Sequence, residues 1–423
     1  MTVKELLKGH ADCACGTSHV CPIREVVIEE DALSKIPALT ADFSHVLLVA
    51  DENTYRVCGE KVARALGTKL ENTLIYHRDG LLVPNEEAIA ELRAKVSGKT
   101  DLIVGVGSGV INDLCKHVSF AAGLPYDIVA TAPSMDGYAS KGAALILDGM
   151  KVTLNAAVPR AIIADVSVLA NAPFPMIQAG YGDIIGKYSC LCDWALSALV
   201  TGEALCSFVY DATMEAVEKT VALSDGLMLR SHEAVAALQE ALVAVGILMA
   251  YVGNSRPASG SEHHLSHYFE IVGIVRGEEY YPHGIDVCYS AVETARLRER
   301  LAAIPALPSE ISAEGRDVYE QNVRRIYGPI ADEVLALQAK MGWYDIDRIP
   351  VYREKWQEIR ALLASAPDST QMRALVEKIG LDCREFKKFY GEEKIADALL
   401  YAKDLKDRYT VLWLYYDLFG CVK

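Results

Sequence analysis

The strongest constraint in this chain is a change of pattern near Pro175. Before it, short apolar runs alternate with helical periodicity; after it, helical periodicity continues almost to the end. "HVLLVADENT" reads as a buried strand from His45 to Ala50 that ends in the acids Asp51 and Glu52. "EEAIAELRAKV" reads as an amphipathic helix, and "DLIVGVGSGVINDLCKHVSFAAG" as strand, glycine turn and helix. "YDIVATAPSMDGYAS" supplies a further strand and a polar loop, and "RAIIADVSVL" another strand. Strands alternating with helices imply a parallel sheet covered by helices. "GAALILDGMKVTLN" departs from that alternation, because Asp148-Gly149 between two apolar runs signals a tight hairpin. The expected architecture is an α/β nucleotide-binding domain over residues 1–172, followed by an all-α domain over residues 173–423.

Charge and cysteine content narrow the function. A formal charge of −15 disfavours nucleic acid and anionic membrane surfaces, which select basic faces. There is no run of about 18 uncharged apolar residues, so no membrane span is expected. "MTVKELLKGHADC" lacks the apolar stretch of a signal peptide, and eleven scattered cysteines suit a reduced, cytoplasmic setting. Cys13, Cys15, His19 and Cys21 crowd "CACGTSHVC". Their spacing is not that of paired CxxC elements, and the expected state is a loop ahead of the first strand.

The motifs that bear chemistry lie at strand ends and on the helices. Gly105, Gly107 and Gly109 link a strand to a helix, where backbone N–H groups can approach a phosphate. The same turn also suits tight packing. The acid of the usual dinucleotide fingerprint comes about 20 residues after the glycines. Here the candidate acid, Asp51, precedes them. Thr131, Ser134, Asp136 and Ser140 follow the next strand, at the end where open α/β sheets bind ligands; a helix cap explains such residues equally well. Asp183 and Lys187 share one helical face.

"SGSEHHLSHYFE" holds His263, His264 and His267, three of the ten histidines. At about 100° per residue, His263, His267 and Glu270 form one stripe, with Leu265, Phe269 and Val272 opposite. His264 falls between, on the apolar flank. "YPHGID" adds His283. A carboxylate with two imidazoles and an open position is a usual catalytic-metal arrangement.

"TAPSMDGYAS", "GDIIGKY" and "NSRPASGSEHHLSH" together resemble the iron-dependent alcohol dehydrogenase and dehydroquinate synthase superfamily, and within it the bacterial sn-glycerol-1-phosphate dehydrogenases. The resemblance implies a divalent metal (zinc, nickel or iron) on Asp183, His263 and His283. It assigns His267 to substrate contact and the proton path, and Asp136 and Asp183 to substrate contact. NAD, with NADP as the other option, falls to Gly109, Val110, Ile111, Asn112 and Asp113, and to Thr131, Ala132, Pro133, Ser134 and Ser140. Gly107 and Asp51 extend that cofactor set on the reading of the strand ends above.

The activity implied is reversible reduction of dihydroxyacetone phosphate to sn-glycerol 1-phosphate. Lys187 and Arg256 are the cations expected to serve the phosphorylated substrate, Lys187 also as part of the catalytic set. Relatives commonly form homo-oligomers. A glycerol or polyol dehydrogenase, a non-redox cyclase and a metal-binding protein are the alternatives on the same scaffold.

Overall fold

The computed structural model describes residues 1–147, 150–311 and 314–420. It divides into two compact units, one of residues 1–184 and 211–254, the other of residues 185–210 and 255–423.

The first unit is built on a six-stranded sheet in the order β1-β8-β5-β4-β2-β3. Its strands are β1 (Glu25–Glu29), β2 (Val46–Asp51), β3 (Leu70–Tyr76), β4 (Leu102–Gly107), β5 (Tyr126–Ala130) and β8 (Ala161–Asp165). Every pairing is parallel. The central strands are buried throughout and mostly apolar, as a sheet covered on both faces requires, with Asp127 in β5 and Asp165 at the end of β8 as buried acids. β6 (Gly142–Leu147) and β7 (Met150–Asn155) form a separate antiparallel pair. Asp148 and Gly149, where the hairpin turn was expected, lie outside the described residues. Helix α1 (Val3–Leu6) opens the chain, α2 (Glu86–Lys95) follows β3, and α3 (Gly109–Ala122) follows β4.

Helix α4 (Phe174–Thr201) begins in the first unit, and α5 (Ser207–Ala222) mostly belongs to it. So does α6 (His232–Val252), which packs against the Asp136–Ala139 turn. A single cut at residue 172 therefore misses the return of residues 211–254 to the first unit. The reason is the composition of α6, whose stretch from Ala241 to Val252 is uncharged and apolar on all sides and is buried almost throughout. By length and hydropathy α6 also meets the criterion for a membrane span that the sequence was expected not to contain, yet 83% of its apolar window is buried inside the protein. Such burial is that of a core helix.

The second unit is helical. Its helices α7 (Ser261–Arg276) and α8 (His283–Ala302) pack closely side by side and carry the histidines.

Candidate metal and cofactor site

The strand ends of the first unit carry the expected cofactor residues. Gly107 closes β4, and a Cβ there would meet Ile111 at 2.6 Å, so this glycine serves the approach of α3 to the strand. Ile111 is itself buried in that packing. Gly109 and Val110 stand at the α3 N-terminus, where unpaired N–H groups point along the axis. Thr131, Ala132 and Pro133 are buried after β5, and Ser134 is half-buried.

Several side chains expected at the cofactor also have partners within the protein. Asn112 is fully buried, donating to the Gly137 carbonyl at 3.5 Å and accepting from Tyr126 at 3.4 Å. The Ser140 hydroxyl lies 3.1 Å from the Gly137 carbonyl. Asp113 faces Lys116 at 3.7 Å. Asp51 Oδ1 caps the turn Glu52–Thr54, accepting from Asn53 N at 2.8 Å and Thr54 N at 2.9 Å.

Lys116 was missed in the sequence. Its buried ammonium donates to the carbonyls of Gly137 at 2.8 Å and Gly142 at 2.9 Å, and lies 3.3 Å from Ser140 Oγ. Burial lowers its pKa, which Asp113 partly opposes. It ties down both sides of the loop that carries Asp136. Its place one turn after Asn112, among the buried Ile111, Leu114, Cys115 and Val118, was the available signal.

The same loop meets the first turns of α4. A Cβ on Gly180 would fall 1.8 Å from the Pro133 carbonyl, so only glycine allows this approach. One turn further along, buried Asp183 accepts from the Asp136 N–H at 2.9 Å through Oδ2. The two carboxylates have oxygens within 4.8 Å of each other.

In the second unit, three imidazoles converge. Ring centroids of His263 and His283 are 5.1 Å apart, those of His267 and His283 5.3 Å, and those of His263 and His267 6.4 Å. His263 Nδ1 lies 2.7 Å from Oε1 of the fully buried Glu262, which also accepts from Gly260 N at 3.0 Å. His283 Nδ1 lies 3.1 Å from Ser266 Oγ. With Nδ1 engaged in both rings, either would ligate a metal through Nε2, and each ring has the orientation usual for metal-ligating histidines. This donor set suits a divalent metal.

His264 is fully buried, and neither ring nitrogen has a hydrogen-bond partner among the described residues. Burial, with the charges of Lys406, Arg408 and Arg256, holds its imidazole well below the ordinary range. It is a neutral core residue, as its flank position implied.

Two expected phosphate contacts are engaged within the fold. Arg256 is buried and grips Glu203, its Nε lying 2.8 and 3.0 Å from the two carboxylate oxygens, and it donates to the Tyr409 carbonyl at 2.8 Å. Its guanidinium thus makes a bidentate contact with a carboxylate inside the protein. Lys187 is fully buried and donates to the Ala258 carbonyl at 3.0 Å.

Residues 27–173 match the family model described as iron-containing alcohol dehydrogenase. A glycerol-1-phosphate dehydrogenase [NAD(P)+] of Bacillus licheniformis is 30% identical over 95% of this chain and 90% of its own length. The chain belongs to the glycerol-1-phosphate dehydrogenase family. That family stands within the iron-containing alcohol dehydrogenases. A namesake from Halalkalibacterium halodurans is 29% identical over 97% of both chains. For the fold, the crystal structure of sulfoacetaldehyde reductase from Bifidobacterium kashiwanohense, in complex with NAD+, has a TM-score of 0.61. It shares 13% identity and covers 96% of this chain and 99% of its own.

Proposed function

We propose that this NAD(P)-linked oxidoreductase reduces dihydroxyacetone phosphate to sn-glycerol 1-phosphate and catalyses the reverse oxidation. The relatives' names support the substrate. The observation that carries the metal-dependent chemistry is the pair His263 and His283, 5.1 Å apart, each with Nδ1 held by a neighbour. On this reading Asp183, His263 and His283 hold a divalent cation. Zinc, nickel and iron all accept such a set of donors.

The bound cation would supply Lewis acidity at the substrate oxygen, and the nicotinamide the hydride. The protein's own residues do the rest. The Asp136 N–H fixes the rotamer of Asp183. Glu262 and Ser266 fix the ring orientations of His263 and His283. His267, half-buried beside His283, takes the proton from the alcohol oxygen during oxidation and returns it during reduction. The Asp136 carboxylate accepts from a substrate hydroxyl. Lys116 holds the Asp136 loop in position for this. Lys187 keeps a cation beside the 255–260 loop, while Arg256, bound to Glu203, fixes that loop. Gly109 and Val110 present the α3 N-terminus to the cofactor's phosphates.

The test is NADH consumption by protein loaded in turn with zinc, nickel or iron, with dihydroxyacetone phosphate or unphosphorylated dihydroxyacetone. Turnover restricted to the phosphorylated ketone is expected. Equal turnover of both would make the protein a polyol dehydrogenase, and none with either would indicate non-redox chemistry. Light scattering on the same preparation checks the expected homo-oligomer.

A further inference from the structure

The "CACGTSHVC" stretch was expected to be a plain loop, and the structure gives it a more specific form. His10 and His19 close it as a β-bridge, each N–H donating to the other's carbonyl at 2.9 Å. Within it, Gly16 N donates to the Cys13 carbonyl at 2.9 Å. This closure brings the sulfurs of Cys13 and Cys15 and a ring nitrogen of His19 within 4.8 Å of one another. Cys15 Sγ is 3.5 Å from His19 Nε2. Cys21, the remaining thiol of the stretch, stands outside the group.

We propose that Cys13, Cys15 and His19 form a second metal site, for a thiophilic divalent cation of the zinc class, that fastens the N-terminal segment to helix α6. Zinc bonds of about 2.3 Å to sulfur and about 2.0–2.1 Å to nitrogen put tetrahedral donors roughly 3.5–4 Å apart. The three donors need only small side-chain adjustments to meet that spacing.

The surroundings of His19 provide the second, independent observation. The ring is buried, and its Nδ1 lies 3.2 Å from the Tyr251 carbonyl in the last turn of α6. A donor at Nδ1 fixes the tautomer whose Nε2 faces the sulfurs, the arrangement that orients metal-bound histidines. The ring also stacks on Tyr251, with centroids 5.1 Å apart and planes at 14°. The Tyr251 hydroxyl in turn donates to the Leu6 carbonyl. One residue at the end of α6 thus holds both α1 and the histidine. Binding releases the two thiol protons, so the dication and two thiolates sum to zero charge, with the fourth position left to water or a further donor. Soft thiolates select zinc over the hard cations.

The test uses the full chain. Elemental analysis of His263→Ala/His283→Ala protein, grown with zinc, should retain about one metal per chain. Adding Cys15→Ser, a change at an exposed position, should remove it. Independently of that background, wild-type protein reconstituted with cobalt(II) should show sulfur-to-cobalt charge-transfer absorption. The catalytic set proposed above contains no sulfur, so this band reads the second site alone, whatever the fate of the catalytic proposal. Cys13→Ser/Cys15→Ser protein with an unchanged circular dichroism spectrum should lack it. A wild-type protein without the band, or an intact mass showing a Cys13–Cys15 disulfide in freshly reduced and metal-loaded protein, overturns the proposal.

Discussion

The carboxylate of Glu262 lies 2.7 Å from Nδ1 of His263, and both side chains are buried. A carboxylate behind a ligating imidazole raises its basicity and fixes its plane, and losing such a partner typically costs 10–100-fold in metal affinity. Glu262→Gln should therefore weaken metal binding by about that factor while leaving the fold intact. Competition against a chelator of known affinity measures it; an unchanged affinity would limit Glu262 to packing.

The histidine cluster allows a sharper discrimination. His263→Ala and His283→Ala should purify largely without the catalytic metal, because three protein ligands cannot be reduced to two without loss of affinity. His267→Ala should retain metal, with kcat down about 100–10,000-fold, the usual contribution of a positioned acid–base group. His264→Leu should retain both metal and most activity. Its imidazole is buried with no hydrogen bond among the described residues, so an apolar replacement costs no contact. Metal-to-protein ratios for the four variants separate these roles. A His264→Leu protein holding one metal fewer per chain than His263→Ala would reverse the assignment.

What the sequence disclosed and what it hid differ for physical reasons. Central strands β2, β4, β5 and β8 were legible because burial on both faces leaves mainly apolar runs. The edge strands β1 and β3 are partly exposed, carry mixed residues and were not singled out. The histidine stripe was legible because helical periodicity separates His263 and His267 from His264. The internal partners of Asn112, Lys116 and Arg256 were hidden. A side chain's type states what it can bond to, whereas the bond it makes depends on residues distant in sequence, such as Gly137 and Glu203. The return of residues 211–254 to the first unit was not legible, because α6 from Ala241 onward is apolar on all sides and offers no face from which to read its neighbour.

Lys116 tests the support of the substrate loop. Lys116→Met removes a buried charged donor from the Gly137 and Gly142 carbonyls, and hydrogen bonds to charged groups contribute about 1.5–3 kcal/mol each. A lower Tm is expected, together with a higher KM for the ketone as the Asp136 loop loosens. Lys116→Arg is expected to recover less than half of either, because the larger guanidinium cannot fit a site enclosed on all sides. A variant with wild-type KM would detach this lysine from the site.

The Glu203–Arg256 pair carries a pH dependence. Burial pushes the Glu203 carboxyl up, but the hydrogen bonds and charge of Arg256 outweigh it and hold the carboxyl below its ordinary value. The unfolded chain therefore binds the proton more readily than the folded one. The pair's stability is fully present above the ordinary glutamate range near pH 4.5 and is lost as pH falls through the lowered value. Glu203→Gln should reduce Tm at pH 7 and flatten the fall in Tm below about pH 4.5. Arg256→Ala should cost about 1–3 kcal/mol, the lower range reflecting the solvent access of Glu203. It should also affect phosphorylated and unphosphorylated substrates alike, because the arginine acts through the loop. A selective loss of the phosphorylated substrate would restore the phosphate contact first expected of it.

Asp51 tests the choice of cofactor, and its cap contact has to be kept apart from its charge. Oδ1 accepts from the N–H groups of Asn53 and Thr54, so truncation to alanine would cost about 0.5–2 kcal/mol of local stability and confuse the result. Asp51→Ser keeps a capping oxygen and removes only the charge. A carboxylate at this strand end accepts ribose hydroxyls and repels a 2′-phosphate. The wild-type protein should therefore prefer NADH. The serine variant should gain in kcat/KM for NADPH, lose some for NADH and unfold within a few degrees of the wild type. Glu52, beside it and bonded to His77, retains one negative charge near the site, so the reversal should be partial. Equal efficiency with both cofactors in the wild type, unchanged by Asp51→Ser, would show that this carboxylate acts as a helix cap alone.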